Sequence, residues 1–295
     1  MKEKSCNSEL VTIGFVTHNS GSVIEESLKS LYELLPLIVV DNASIDSTLN
    51  RVRAVCPNAE LYCNTSNIGF GRACNILLHK AKTEYVLILN PDVKIYPSDV
   101  DALVEAGKIN TDAAILAPML RFPDGRVQRS FLPFSANITQ YEAHKGSHVF
   151  SVNHVIGAAM LLHRNRILDL GGFDEALFFY GEDEDLCRRV RSSNYRILIV
   201  PSARAFHTYG ASSLVSRRME NWKAWCLSWS RLYVLKKHEG YSSMLWYAFQ
   251  TVLFHLPRSM ILFVIGRQKD ALLSLNRFLG VLAYLTGRPC LPYKQ

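Results

Sequence analysis

Tyr85-Val86-Leu87-Ile88-Leu89-Asn90-Pro91-Asp92-Val93 is an apolar run that ends abruptly in an amide, a proline and a carboxylate. A continuous apolar run rich in branched residues suits a parallel strand covered on both faces. Ligands of open α/β sheets bind beyond the carboxyl ends of such strands. Pro91 removes a backbone donor and stops ladder pairing, so Asp92 is expected to be presented rather than packed. Asn-Pro-Asp is also common turn chemistry, and the stretch gains meaning only from its neighbours.

Toward the N-terminus, strand and helix patterns alternate. Residues 10–17 read as a buried strand, followed by a turn from His18 to Ser22 and a helix through Val23, Leu28, Leu31 and Leu35. Residues 37–40 form a second strand, ending in an Asp41–Thr48 segment rich in Asp, Asn and Ser, before a helix through Val52 and Val55. Residues 59–63 form a third strand, and Asn67-Ile68-Gly69-Phe70-Gly71 opens a helix from Ala73 to Lys80. Such alternation predicts a parallel sheet with right-handed crossovers.

Beyond Asp92 the pattern changes. A helix is expected over 98–109, a strand over 114–122 and a hairpin turn at Pro123-Asp124-Gly125-Arg126. Residues 133–150 are poorly patterned, and His144 and His148 there read as a solvated loop. Residues 155–162 are apolar around Gly157 and Ala158, and a short helix closes on Gly171-Gly172. Four acids, Glu182 to Asp185, then start a helix directly after Phe178-Phe179-Tyr180. A last strand over 195–200 is expected to stop at Pro201, leaving Phe206 and His207 in a loop.

Composition narrows the classes. The 295 residues carry a net charge of +7, with 48% hydrophobic and 20% charged side chains, as a folded protein does. Seven cysteines without a CxxC pair argue against a disulfide framework or a zinc site of the usual spacing. The polar first ten residues lack the apolar core of a signal peptide, so a reducing, cytoplasmic compartment is expected. The charge is uneven: residues 216–295 hold twelve Lys and Arg against three Asp and Glu, whereas residues 1–215 hold 21 against 23. A basic, aromatic tail points to an anionic surface. No zinc-finger, RNA-binding or bZIP pattern supports nucleic acid as that partner.

The acceptor-rich turns after Thr17, after Val40, at 67–71 and at Asn90-Pro91-Asp92 are expected to meet in one crevice. Asp41 is then placed to accept hydrogen bonds from a base or ribose, and Gly69 and Gly71 permit close approach to a ligand. Gly69-Phe70-Gly71 imitates a dinucleotide fingerprint, but Cys74 stands where its third glycine belongs and the pair lies in the third unit, which argues against a dehydrogenase. Asp92 suits Mg²⁺ or Mn²⁺, hard ions that bridge diphosphates, and His207 is a candidate nitrogen ligand. The four acids complement a helix dipole without further purpose, yet the aromatic wall before them would raise a carboxyl pKa and make a base.

Taken in order, Asp41-Asn42-Ala43-Ser44 with Asp46, Asn67 to Gly71 with Asn75, Leu89-Asn90-Pro91-Asp92, Gly157 to Met160, Gly171 to Asp174, Phe179 to Leu186 and Pro201 to His207 resemble the inverting family 2 glycosyltransferases, and the rhamnosyltransferase-like branch in particular. The resemblance covers residues 10–215. It implies an α/β glycosyltransferase A fold, a Rossmann-like mixed sheet flanked by helices, carrying here a basic helical C-terminal extension. It also implies a metal-dependent inverting enzyme that moves a sugar, rhamnosyl or another deoxyhexose, from a nucleotide-diphosphate donor to a glycan or lipid-linked glycan. A UDP- or GDP-hexose donor, or a catalytically silent sugar-nucleotide-binding assembly protein, is the alternative.

By position, Asp183 would be the base with Glu182 beside it. Thr17, Asn19, Asp41, Asn67, Gly69, Gly71, Asn75 and Asn90 would bind donor; Gly157, Ala158, Glu182 and Asp185 acceptor; Asp92 and His207 the metal. Two departures stand out: His18 replaces a usual Tyr, and Asn90 replaces the first acid of an Asp-x-Asp pair.

Residues 1–215 are thus expected to bind the nucleotide sugar and 216–295 to form an amphipathic extension. In the extension, Met219, Trp222, Trp229 and Tyr233 share a helical face and read as core packing. Residues 240–257 lack Asp, Glu, Lys and Arg, which invites a membrane span, but Gln250, Thr251, His255, Arg258 and Ser259 recur as a polar stripe. Basic amphipathic helices lying in an anionic membrane interface fit better. A helical pair packed on the protein or on a second subunit, as in a homo-oligomer, is the competing expectation.

Overall fold

The computed structural model describes residues 9–32, 35–133, 148–208 and 216–290. These form two compact units. One holds the described parts of Met1–Ile68, Arg72–Phe173 and Leu186–Leu214; the other holds those of Gly69–Gly71, Asp174–Asp185 and Val215–Gln295.

The first unit opens with β1 (Val11–Thr17), α1 (Ile24–Lys29), β2 (Leu37–Asp41), α2 (Thr48–Val55), β3 (Glu60–Cys63), α3 (Phe70–Lys80) and β4 (Tyr85–Leu89). These strands are parallel, as the alternation predicts, and lie in the order β3-β2-β1-β4. β1, β2 and β4 are buried at every position. Ile13, Phe15, Val39, Leu87 and Leu89 join Ile24 and Leu28 of α1 in one core. Each such side chain contributes roughly 1.5–3 kcal/mol on burial. The α1 helix is shorter than its apolar spacing suggests. The Leu31 N–H bonds to the Leu28 carbonyl three residues back, which turns the chain out of the helix while keeping Leu31 buried.

After β4 the sheet becomes mixed through β5 (Val93–Ile95), α4 (Pro97–Ile109), β6 (Ala113–Arg121), β7 (Phe131–Pro133), β8 (Phe150–Val155), β9 (Ala159–His163), α5 (Arg164–Asp169), α6 (Glu182–Ser192) and β10 (Arg196–His207). The opening stretch is therefore central: β4 pairs with β1 in parallel and with β9 antiparallel. The turn at 123–126 closes with Gly125 and Phe122 amides on the Phe122 and Arg126 carbonyls.

One expectation is corrected. β10 does not stop at Pro201 but runs to His207, with a register shift against β6 between Val200 and Arg204. The irregularity absorbs the missing proline donor. Beyond it, Ala205, Phe206 and His207 pair with Ile95, Lys94 and Val93 of β5. Residues 134–147, including His144, lie outside the described residues, as do Tyr209 and Gly210; His148 is exposed.

The second unit contains α7 (Arg217–Glu239), α8 (Tyr241–Val264) and α9 (Gln268–Leu285). Ser216 caps α7 by accepting the Met219 N–H at 3.2 Å. Trp229 stacks on Tyr233 with ring centroids 5.6 Å apart and donates to the Arg288 carbonyl. The polar stripe of α8 is split: Gln250 and Arg258 are exposed, whereas Thr251 and Ser259 turn inward. The Ser259 hydroxyl donates to Ala271 of α9 at 3.0 Å. Among the described residues no helix is long and apolar enough to cross a membrane.

Candidate active site

In the first unit, the ends of β1 and β2 are locked together. The Asn42 N–H bonds to the Thr17 carbonyl, the Ser20 N–H to Thr48 Oγ1, and the Gly21 N–H to Asp46 Oδ2. Asn19, at φ 52°, accepts the Ile45 N–H through its side chain. His18 Nδ1 lies 2.7 Å from the Asn42 carbonyl. Asp41 is fully buried, and its carboxylate accepts from Thr17 Oγ1 at 2.8 Å and from the Ser44 N–H and hydroxyl. The carboxylate is thus committed to shaping the turn, which corrects the expected direct contact with a base.

Asp92 sits where the opening stretch delivers it, beyond β4. Asn90 is held by its N–H on the Ala158 carbonyl at 2.9 Å, which places Gly157-Ala158 beside this turn. Ser27 of α1 donates to the Pro91 carbonyl, and the Thr208 N–H to that of Asp92. Asp92 is only 5% exposed, so it is packed rather than presented, another correction. Among the described residues neither of its carboxylate oxygens has a hydrogen-bond partner. A buried anion without donors is costly unless a cation compensates it.

The extra length of β10 supplies a neighbour. His207 Nε2 lies 3.5 Å from Asp92 Oδ1, and its Nδ1 lies 3.0 Å from Gln128 Oε1. An amide oxygen accepts, so this contact favours the tautomer protonated at Nδ1 and leaves the Nε2 lone pair toward Asp92. A carboxylate and an imidazole so arranged, with an outer partner fixing the ring, fit a divalent metal. Among the described residues no three His, Cys, Asp or Glu gather as a complete ligand set. Two such side chains would leave room for phosphate oxygens to complete a Mg²⁺ or Mn²⁺ shell. Gln128 carried no signal in the sequence: it follows a hairpin turn with no periodicity to mark it.

Asn75 departs from its expected donor-binding role. Its amide donates to the Phe173 carbonyl at 3.0 Å and accepts the Phe173 N–H at 2.7 Å. Gly172, at φ 68°, lies so close to Asn75 Oδ1 that a Cβ there would collide with it. This clamp holds the segment that leads toward α6.

In the second unit, Gly69 at φ 92° approaches the Phe178 carbonyl, where a Cβ would come within 2.7 Å. Its conformation thus serves packing; Asn67 in the first unit is half-buried, and Gly71 is buried in the first turn of α3. The chain reverses at Tyr180 and Gly181, both at positive φ, and α6 begins at Glu182. Trp222 of α7 meets the Phe178 and Phe179 rings at 5.9 and 5.1 Å, so the expected aromatic wall gains a fourth member.

Burial, followed by the adjacent Asp183 charge, pushes the Glu182 carboxyl up to about 8. Among the described residues Glu182 Oε2 has no hydrogen-bond partner, whereas Asp183 Oδ1 accepts the Glu184 N–H at 2.8 Å. Near neutral pH Glu182 therefore favours its protonated form, beside a partly exposed Asp183.

Asp185, expected at the acceptor, is fully buried. It is ion-paired to Lys237 at 2.7 Å and to His238 at 2.8 Å. Lys237 also reaches Asp174 at 2.6 Å, and the Tyr233 hydroxyl donates to the same carboxylate. Burial would raise the Asp174 carboxyl, but these donors hold it below its ordinary value. Asp185 therefore anchors α6 to α7. No local pattern announced this, because Lys237 and His238 look like ordinary basic residues at a helix end.

A mixed sheet of this order, with an acid and a histidine at the switch from parallel to antiparallel pairing, defines a glycosyltransferase A fold. The chain belongs to Glycosyl transferase family 2, whose domain model matches residues 12–168. A second, "N-terminal domain of galactosyltransferase", matches residues 140–211. Within the family it is rhamnosyltransferase-like. It is 27% identical to an N-acetylglucosaminyl-diphospho-decaprenol L-rhamnosyltransferase of Mycobacterium tuberculosis, covering 68% of this chain and 76% of that one. It is also 27% identical to rhamnosyltransferase WbbL of Escherichia coli, covering 67% and 83%. Among solved structures, the mannosyltransferase PcManGT of Pyrobaculum calidifontis, in complex with GDP-Man and Mn²⁺, shares the fold at a TM-score of 0.57 and 17% identity, covering 93% of this chain and 86% of that one.

Proposed function

We propose that the protein is a metal-dependent inverting glycosyltransferase that moves a rhamnosyl or other deoxyhexosyl group from a nucleotide diphosphate to a glycan or lipid-linked glycan acceptor. Residues 1–215 serve as the sugar-nucleotide-binding and catalytic domain and 216–295 as a helical extension. The observation that carries the reading is the buried Asp92 carboxylate, with no hydrogen-bond donor among the described residues and His207 at 3.5 Å. Asp92 and His207 would hold Mg²⁺ or Mn²⁺, which neutralises the leaving diphosphate when bound. Asn19, Asn67 and Asn90 offer amide groups to the donor, and Gly157 the backbone beside Asn90. Asp183 removes the acceptor hydroxyl proton as that oxygen attacks the anomeric carbon from the face opposite the diphosphate. One such displacement inverts the anomeric configuration. Glu182 keeps its proton and hydrogen-bonds the acceptor. The working place is the cytoplasmic face of the cell membrane, in keeping with a lipid-linked acceptor.

Thermal-shift measurements against dTDP-, UDP- and GDP-sugars with Mn²⁺ test the donor and metal together. Ligand that binds only the folded chain raises its melting temperature, by about 2.7 kcal/mol of stabilisation at a hundredfold excess over Kd. A dTDP-deoxyhexose with Mn²⁺ gives the largest rise in the wild type, and Asp92→Ala abolishes its metal-dependent part. An equal rise in Asp92→Ala would remove Asp92 from the metal.

A further inference from the structure

α8 is built the wrong way round for a helix that packs in water. Its buried positions are Met244, Ala248, Thr251, Ser259 and Leu262, three of them small or polar. Its outward positions carry the large apolar side chains: Trp246, Phe249, Leu253, Phe263 and Val264 are 61%, 57%, 63%, 65% and 83% exposed. At about 100° per residue these five fall within a sector of roughly 100° on one side of the helix. Leu272, Leu279, Leu282 and Leu285 of α9 are exposed as well. Soluble monomers seldom leave so continuous an apolar surface to water.

Charge identifies the occupant. Residues 241–285 contain four Lys and Arg and a single acid, Asp270. Three of the four, Arg258, Arg267 and Lys269, cluster in sequence around the α8–α9 turn and are exposed; Arg267 also pairs with Asp270 at 2.6 Å and Lys269 with Glu220 at 3.4 Å, surface pairs of the weak, screened kind. The Arg258 guanidinium lies over the Phe254 ring at 5.3 Å, so charge and apolar surface are adjacent. A second copy of this chain would bring like charges together, whereas anionic headgroups satisfy them beside an acyl layer that accepts the rings. Tyr241 and Trp246 in the first turns have the amphipathic rings favoured at lipid–water boundaries.

We propose that the exposed face of α8 and α9 docks on an anionic lipid bilayer. α8 lies in the interface with its aromatic and aliphatic side chains among the upper acyl chains and Arg258, Arg267 and Lys269 on headgroup phosphates. Gln250, Thr251, His255 and Arg258 keep it from spanning. The inference deepens the proposed function by giving the acceptor's membrane a docking surface, and rests on that reading for its purpose alone.

Vesicle flotation of the full chain tests it, with equimolar phosphatidylglycerol and phosphatidylcholine against phosphatidylcholine alone. The wild type floats with the anionic vesicles. Trp246→Glu/Phe249→Glu weakens binding roughly tenfold or more, with an unchanged circular dichroism spectrum and unchanged transfer to a water-soluble acceptor. Arg258→Glu/Arg267→Glu removes the preference for anionic vesicles. A wild type that stays in the aqueous fraction with both vesicles, or an apolar-face variant that floats as well as wild type, overturns the proposal. So does a lipid-free wild-type dimer that the Trp246/Phe249 variant converts to monomer, since the face would then belong to a second copy. Flotation without any sugar transfer leaves the docking surface standing and rejects the transferase reading instead.

Discussion

Asp92 and Glu182 are both enclosed carboxyls, and the chain treats them oppositely. Asp92 lies beside an imidazole whose ring is fixed by Gln128, and its oxygens await a positive partner. Glu182 faces the neighbouring Asp183 charge and is kept protonated to about pH 8. That shift has a consequence for stability. An unfolded glutamate titrates near 4.5, so between about pH 4.5 and 8 the folded chain holds a proton that the unfolded chain has released. The stabilisation is full below the unfolded value and is lost as pH rises through the folded one. Glu182→Gln cannot lose it. The variant's melting temperature, measured by calorimetry from pH 5 to pH 9, therefore gains on wild type as pH rises; parallel curves would show that Glu182 is not shifted. Residue identity was partly legible in the sequence here. The apolar run pointed to Asp92 and the aromatic wall to a raised carboxyl, but Gln128 was silent, and nothing local distinguished Asp41, Asn75 and Asp185, which turn inward, from side chains that meet ligand.

At the scale of elements, α6 is the part whose position depends most on distant residues. Its first turn is tied to α7 through Asp185, Lys237 and His238, while Glu184 pairs with Arg231 at 2.6 Å. Replacing Lys237 by Met leaves the buried Asp185 with His238 and Asp174 with Tyr233. Lys237 keeps 32% of its side chain exposed, so the cost falls at the low end for a broken buried pair, about 2 kcal/mol, read as a lower urea midpoint. A midpoint equal to wild type would mean that α6 does not depend on this lysine. Elements with strong apolar periods, β1, β2, β4 and α4, were legible because burial alone decides them. β10 was not, since Pro201 is an ordinary strand stop and only pairing with β5, far away in sequence, carries the strand past it. The α8 stripe was seen but its direction was not, because a period shows that two faces differ and not which one meets solvent.

For the whole molecule, the parallel half of the sheet follows from the alternation of patterns, which breaks down after Asp92; the strand order and the antiparallel pairings were not legible in it. The division into units is less visible: Gly69–Gly71 and Asp174–Asp185, remote in sequence from the C-terminal helices, group with them. Sugar transfer is a property of the full chain, and the base assigned to Asp183 is its most exposed claim. The direct measurement is transfer by Asp183→Asn beside donor binding by the same protein. Amide for carboxylate keeps shape and removes basicity, so transfer falls by about a thousandfold, within the range for a lost general base, while Mn²⁺-dependent donor affinity stays at the wild-type value. Transfer within tenfold of wild type would contradict the account.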